Sequence, residues 1–436
     1  MACSFNTPNN KYEAVMNLES ILAQFDDKVI NPIGASRKKN QIIGKGYISA
    51  LKALVSVINI PKPTVLTGKN SSLKLCESVA SFGLKKVLIV TDRPLYELGL
   101  LENILQSLEH HGMAYELFAD VQPDPTFSVV EAGLKRYRQA NCDSVMAVGG
   151  GSSIDSAKVI ALAASNNTEP KKLVGILKGK VGCAPFFCVP TTAGTGSEVT
   201  IGAVISDDET HQKGLVIESK IVPLIAALDP ALMKALPPAI TAATGMDALT
   251  HLVESFLSTM ANEESSYYSK AGIKLVFDNL SKVYKKGANL SAREDMALAS
   301  FYGGLTINLA GLGYVHAFAH QLGAYYGIPH GLANAKVLPK VLRFNHDFVP
   351  ERLAELADLI ECCDANASVY EKGLAFIEAV EDLIVSVGIS PKVDALQLKD
   401  FPSIRRAAFK EANSTYAVPA YMSADDAHNL LLSLAK

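Results

Sequence analysis

Apolar residues recur at helical spacing in the first sixty residues. Val15, Leu18, Ile21, Leu22 and Phe25 mark one stripe, and Ile48, Leu51, Leu54 and Val55 a second. The spacing predicts a pair of helices that pack on the body of the protein or on a second subunit. Pro61-Lys62-Pro63 breaks this pattern. Short apolar runs then alternate with helix-length segments. Thr64–Gly68, Lys86–Thr91, Tyr115–Phe118, Ser144–Val148 and Phe186–Pro190 read as strands. Asn70–Phe82, Leu100–His110, Ser128–Gln139 and Ile154–Ala164 read as helices between them. Strands alternating with helices of this length predict a parallel sheet covered on both faces. After Asp229-Pro230 only helical periodicity remains, most clearly over Ile240–Met260, Ser265–Val283, Ala292–Ala310, Leu353–Ile360 and Val369–Val387. Three parts are therefore expected: a helical extension over 1–60, an α/β domain over 61–230 and an all-α domain over 231–436.

Composition narrows the class. The chain has 436 residues, 49% of them hydrophobic and 19% charged, as in an ordered globular protein. The net charge is −3, with no basic run beyond Arg37-Lys38-Lys39, so nucleic acid is not indicated as a partner. Seven cysteines without a CxxC pair point away from a disulfide framework and towards a reducing cytoplasm. The N-terminal segment lacks a basic start and an apolar core, so no signal peptide is expected. No apolar run approaches the length of a membrane span.

Candidate chemistry lies in two places. The first is the α/β half. Gly149-Gly150-Gly151-Ser152-Ser153 joins a buried strand to a helix. Glycines there let a phosphate approach the backbone, and the helix N-terminus offers N–H groups and partial positive charge. The tract is not GxGxxG, so a phosphate cradle and a plain tight turn both stay open. Asp92 ends an earlier strand, where a carboxylate can accept from ribose hydroxyls or simply cap a helix. Thr191-Thr192-Ala193-Gly194-Thr195-Gly196-Ser197-Glu198 is a second small-residue loop after a strand. It reads as nucleotide lining or as a flexible loop. Two such loops after strands of one sheet point to one crevice at the strands' carboxyl ends.

The second place is Gly245–His330. Asp247 and His251 are one helical turn apart, and His316 and His320 repeat the spacing. With His330 they make five candidate ligands for a first-row divalent metal. His110, His111, His211, His346 and His428 read as core or surface residues. No HExxH and no GxSxG is present, which disfavours a zinc protease and a serine hydrolase. Glu254, one turn past His251, reads as an exposed helix charge slightly better than as a partner for a ligand imidazole.

At these motifs the chain resembles the iron-containing (group III) alcohol dehydrogenases, the family of lactaldehyde reductase, 1,3-propanediol dehydrogenase and butanol dehydrogenase. The resemblance covers roughly residues 61–400. It rests on Val-Thr-Asp92, Gln-Pro-Asp-Pro-Thr126, Gly-Gly-Gly-Ser-Ser-Ile-Asp155-Ser-Ala-Lys158, Pro-Thr-Thr-Ala-Gly-Thr-Gly-Ser-Glu198, Gly-Met-Asp247-Ala-Leu-Thr-His251, His316-Ala-Phe-Ala-His320-Gln-Leu-Gly and Pro-His330-Gly-Leu-Ala-Asn.

The resemblance implies a dehydroquinate synthase-like fold: an N-terminal α/β NAD(P)-binding domain and a C-terminal all-α metal-binding domain. It implies Asp247, His251, His316 and His330 as ligands of Fe²⁺, with Zn²⁺ as a substitute. His320 becomes a non-ligand histidine beside the nicotinamide that relays a proton. Gly149, Gly150, Gly151 and Ser152, with Asp155 in the same motif, fall at the pyrophosphate loop. Thr191, Thr192 and Thr195 fall along the nucleotide, and Lys213 near the cofactor. A carboxylate at Asp92 selects NAD over NADP. The expected reaction is hydride transfer between a primary alcohol, or its aldehyde, and NAD(H), in a homo-oligomer that is a dimer or larger. Two other readings are a metal- and NAD-using lyase of the dehydroquinate synthase type and an inactive binding protein. The chain departs from the family pattern in its first sixty residues. It departs again at Glu411–Tyr421, which lacks the usual Asn-Pro-Arg segment.

Overall fold

The structure is a computed structural model that describes residues 60–436, His211 excepted. The two helices expected before residue 60 lie outside the described residues. By packing, the described chain divides into two compact units. Ile60–Leu249 with Ala271–Asn308 form one, and Thr250–Lys270 with Leu309–Lys436 form the other.

Among the described residues the first unit is built on nine strands. In chain order its elements are β1 (Thr64–Thr67), α1 (Ser71–Ser81), β2 (Lys86–Asp92), α2 (Arg93–Glu97), α3 (Glu102–His110), β3 (Ala114–Val121), α4 (Phe127–Gln139), β4 (Ser144–Gly149), α5 (Gly151–Asn166), β5 (Gly175–Ile176), β6 (Phe186–Pro190), β7 (Gly202–Ser206), β8 (Lys213–Ile217), β9 (Ile225–Leu228), α6 (Pro230–Met233) and the start of α7 (Pro238–Leu257). Six strands form one parallel sheet in the order β1-β9-β6-β4-β2-β3. Strand residues alternate between two cores, as a period of two requires. Leu88, Val90, Val145, Ala147 and Cys188 pack with Val130 and Leu134 of α4 and Ile160 of α5. Val87, Ile89, Met146, Val148, Phe187 and Val189 pack with Leu75 and Val79 of α1 and Ile104 and Leu108 of α3. The sheet is therefore covered on both faces, as the near-continuous apolar runs predicted.

Two features escaped the sequence pattern. β9, only Ile-Ala-Ala-Leu, inserts between β1 and β6. Four residues without alternation carry too little signal to be read as a strand. A separate small sheet, β5-β8-β7, carries Lys213 at the start of β8.

After residue 230 every regular element described is helical. The later helices are α8 (Glu263–Lys285), α9 (Leu290–Ala310), α10 (Tyr314–Tyr326), α11 (His330–His346), α12 (Pro350–Ile360), α13 (Val369–Ser386), α14 (Phe401–Thr415) and α15 (Ala424–Leu434). No single described helix is long and apolar enough to cross a membrane. The six described cysteines are free thiols.

Candidate metal centre and nucleotide loops

Helix α7 passes from the first unit into the second between Leu249 and Thr250. Asp247 and His251 sit one turn apart on it. His316 lies in the first turn of α10. That helix stops at Gly327, which takes the left-handed conformation (φ 64°), and Pro329 then precedes His330, the first residue of α11. This tight reversal returns His330 to His316, with ring centroids 5.2 Å apart. One donor atom each from Asp247, His251, His316 and His330 lies within 4.8 Å of the other three. The first three side chains are buried and His330 is partly exposed.

The surroundings fit a divalent cation. The Asn334 amide nitrogen lies 3.2 Å from Nε2 of both His316 and His330, so the two imidazoles turn those nitrogens towards one point. Burial, and then the neighbouring His251, His330 and His320, hold His316 well below the ordinary imidazole range. A neutral imidazole is the ligating form. His316 Nδ1 meets Glu254 Oε2 at 2.6 Å, and Glu254 Oε1 accepts from the Val315 N–H at 2.7 Å. Glu254 therefore caps the start of α10, which no side chain at its own N-cap does, and fixes the ring of His316. Burial pushes its carboxyl up to about 8. The reading of Glu254 as an exposed helix charge is thus corrected: it is buried, and a Cβ at Gly313 would stand 2.6 Å from its Oε1. A stripe on one helix does not reveal that the facing loop is a glycine pressed against it.

The structure separates His320 from the four. It lies one turn beyond His316, and its ring stacks on that of His330 with centroids 5.1 Å apart and an interplanar angle of 21°. Its Nδ1 meets Glu411 Oε1 at 2.6 Å. His346, which reads as a core or surface residue, is buried with Nε2 3.0 Å from the Tyr370 carbonyl.

In the first unit, Asp92, Gly149 and Pro190 end β2, β4 and β6, three neighbours in the sheet. The crossover from β2 leads outward to β3 and that from β4 leads the other way to β6, so the strand order reverses here. This is where open α/β sheets bind ligands. The glycines serve close approach rather than unusual torsion. A Cβ on Gly149 would stand 2.5 Å from Ser153 Oγ, and one on Gly151 2.8 Å from Thr195 Cγ2. α5 begins at Gly151, inside the tract, with no side-chain cap on Gly150. The glycine tract and the Thr191–Glu198 loop therefore pack directly together, with Thr191 N–H bonded to the Gly149 carbonyl.

The flexible reading of that second loop is overturned. Thr191, Ala193, Ser197 and Glu198 are buried. Gly196, at φ +60°, lies so close to α9 that a Cβ would stand 2.5 Å from the Ser300 carbonyl. Ser300 Oγ accepts from Gly196 N–H, and Asn308 bonds Ile201 N–H and the Val199 carbonyl. Ser300, Gly304 and Asn308 form one i, i+4, i+8 row against the loop. A small-polar row within an apolar helix was the signal available in the sequence.

Asp155 is tied to the second loop. It accepts from Ser197 Oγ at 2.5 Å and Val204 N–H at 2.9 Å, which occupies both carboxylate oxygens with the loop. Beside it the fully buried Lys158 ammonium donates to Ser197 Oγ, the Thr200 hydroxyl and carbonyl, and the Gly202 carbonyl at 2.7–3.1 Å. Asp92 caps α2, accepting from Leu95 N–H at 2.9 Å; burial raises its pKa, and that hydrogen bond opposes the rise. Lys213 ion-pairs with Asp124 at 3.9 Å.

Glu198 carries a pH consequence. Burial pushes its carboxyl up to about 7. On raising pH the unfolded chain ionises first, so stability present at low pH is lost up to about pH 7. We expect Glu198→Gln to remove this slope. Between pH 5 and 8 the variant should lose roughly 2 kcal/mol less than the parent. Denaturant midpoints at the two pH values measure it, and equal losses in both proteins would refute it.

Comparison with known proteins matches this architecture. The family model described as "Iron-containing alcohol dehydrogenase" matches residues 41–230. The one described as "Fe-containing alcohol dehydrogenase family, C-terminal" matches residues 241–435. The chain is 38% identical to "Alcohol dehydrogenase 4" of Schizosaccharomyces pombe over 82% of its own length and 84% of the relative's. It is 36% identical to "NAD-dependent methanol dehydrogenase" of Bacillus methanolicus over 74% and 84%. The solved alcohol dehydrogenase from Oenococcus oeni superposes with a TM-score of 0.83 at 34% identity, covering 86% of this chain and 99% of that one. The fold and the clustered side chains are those of a metal-dependent oxidoreductase. The chain belongs to the iron-containing alcohol dehydrogenase family, and its reaction is oxidation of an alcohol or reduction of the corresponding carbonyl.

Proposed function

We propose that this enzyme transfers a hydride between a small primary alcohol, or its aldehyde, and NAD(H), with Fe²⁺ held by Asp247, His251, His316 and His330. The observation that carries the reading is the convergence of three imidazoles and a carboxylate within 4.8 Å, in a chain of this family. The same donor set suits Zn²⁺. When bound, the cation supplies Lewis-acid polarisation of the substrate oxygen and the nicotinamide takes or returns the hydride. The chain's own residues bind and orient. Glu254 keeps the imidazole of His316 in register through Nδ1, which leaves Nε2 for the cation. Gly149, Gly150, Gly151 and Ser152 offer the N-terminal N–H groups of α5 to a pyrophosphate, and Thr191, Thr192 and Thr195 line the same loop pair. Asp155 serves this site by bracing the second loop. Lys213 adds positive charge on the neighbouring small sheet. Asp92 accepts from the ribose 2′-hydroxyl and repels a 2′-phosphate, which selects NAD. His320 handles the alcohol proton. The enzyme works in the cytoplasm as a homodimer or larger assembly; the free thiols fit a reducing compartment.

One experiment tests this reading. Enzyme loaded anaerobically with Fe²⁺, and separately with Zn²⁺, is assayed on short alcohols and aldehydes with NAD and NADP. We expect turnover of a primary alcohol with NAD, and for Asp92→Gly a shift towards NADP of at least about tenfold, the scale of a lost charge repulsion. No turnover across the panel would refute the function. An unchanged preference in Asp92→Gly would remove that residue from cofactor selection.

A further inference from the structure

We propose that Glu411, braced by the Tyr416 hydroxyl, is the positioning residue for His320. It fixes the ring and tautomer in which Nδ1 carries the proton and Nε2 the lone pair. The inference rests on the reading of His320 as the group that handles the substrate proton.

The segment Glu411–Tyr421 is where this chain departs from the family's usual ending, and the structure gives its first half a place. Glu411 lies just before the last turn of α14, and Tyr416 caps that helix. The two residues are 91 and 96 positions beyond His320 and reach it only through the packing of α14 on α10. Glu411 Oε1 stands 2.6 Å from His320 Nδ1 and accepts from the Tyr416 hydroxyl at 2.7 Å. The other oxygen accepts from Gln321 Nε2 at 3.4 Å. The carboxylate is thus held at both oxygens, and one oxygen takes two donors. Tyr416 is buried, and burial together with Glu411 holds its hydroxyl well above the ordinary phenol range, so it stays a donor.

A carboxylate only accepts hydrogen bonds. Nδ1 of His320 must therefore be the N–H nitrogen, and Nε2 is the one able to take a proton from an alcohol. The stacked ring of His330 restrains the imidazole from its face, and Glu411 restrains it at its edge. Orientation from both directions leaves one ring pose, which is what a proton-handling group needs. His316 obtains the same service from Glu254, so each histidine of the α10 pair has its own carboxylate.

The test uses zinc-loaded enzyme carrying ¹⁵N-labelled histidine, as the parent and as Glu411→Ala, Glu411→Gln, Tyr416→Phe and His320→Ala. The resonances of His320 are those that vanish in His320→Ala. In the parent they should report protonated Nδ1 and unprotonated Nε2. In Glu411→Ala they should move towards a tautomer mixture, with kcat about 10–100-fold lower, the usual scale for such partners. KM for the alcohol and the bound zinc should stay near parental values. Glu411→Gln retains an acceptor and should keep the tautomer and recover most of the rate, and Tyr416→Phe should fall between. In a His320→Ala background, Glu411→Ala should cost nothing further. A parental spectrum and kcat in Glu411→Ala, or an equal loss in the His320→Ala background, would overturn the proposal. So would loss of zinc in step with rate. Parental turnover in His320→Ala would instead sink the proton-handling role, and the tautomer signal would still decide whether Glu411 positions the ring.

Discussion

His330→Ala should yield enzyme that purifies with little metal and turns over on the order of 10³-fold more slowly, or worse, after anaerobic reloading. His330 is the most accessible of the four clustered groups and opens α11, so its truncation disturbs no buried core. The neighbouring ring provides the control. His320 stacks on His330 at 5.1 Å, yet has no place in the four-residue cluster. His320→Ala should keep its metal and lose about 10²-fold in rate, the lower range for a proton-transfer group. Metal content by atomic emission and kcat on the same preparations separate the two. Full metal and full turnover in His330→Ala would refute the ligand assignment, and loss of metal in His320→Ala would make that residue a ligand.

Lys158→Met should destabilise the protein by about 3 kcal/mol, the scale of breaking a buried charge pair. The ammonium is fully buried, and burial lowers its pKa. It remains because Ser197, Thr200 and Gly202 supply acceptors at 2.7–3.1 Å and Asp155 lies 3.9 Å away. Met fills similar space but leaves those acceptors without their donor and the carboxylate without its counter-charge. The cost should fall when both partners go, so Asp155→Asn with Lys158→Met should recover part of the loss. The single change should also raise KM for the dinucleotide, because the network ties α5 to the Thr191–Glu198 loop. Denaturant midpoints read the stability. A midpoint equal to the parent's would mean the network does not hold the loop.

Much of the fold was legible because its signals are local. Residues 87–90 and 145–148 are apolar without interruption because both faces of the sheet are covered, and they form the centres of β2 and β4. The glycine tract was legible as a place but not as a reason. Its glycines read equally as a phosphate cradle and as a tight turn, and the structure adds that Gly149 and Gly151 make room for Ser153 and Thr195. The motif around Asp155 did not report that its oxygens accept from Ser197 and Val204. In each case the deciding neighbour lies in another element, and periodicity does not report it.

The histidines of α10 draw the line most sharply. The sequence by itself determined that Asp247 and His251 share a helix face, that His316 and His320 share another, and that His330 begins a helix after Pro329. Helical geometry fixes those relations within a turn or two. It could not say which of His316 and His320 gathers with Asp247, His251 and His330, since both project from one stripe. Tertiary packing decided it. His316 is buried among His251, His330 and Asp247 and is held by Glu254, 62 residues earlier. His320 lies partly exposed beside them and is held by Glu411, 91 residues later. The physical reason is that a helix sets which side chains share a face, while the chemistry opposite that face comes from parts of the chain that only folding brings near.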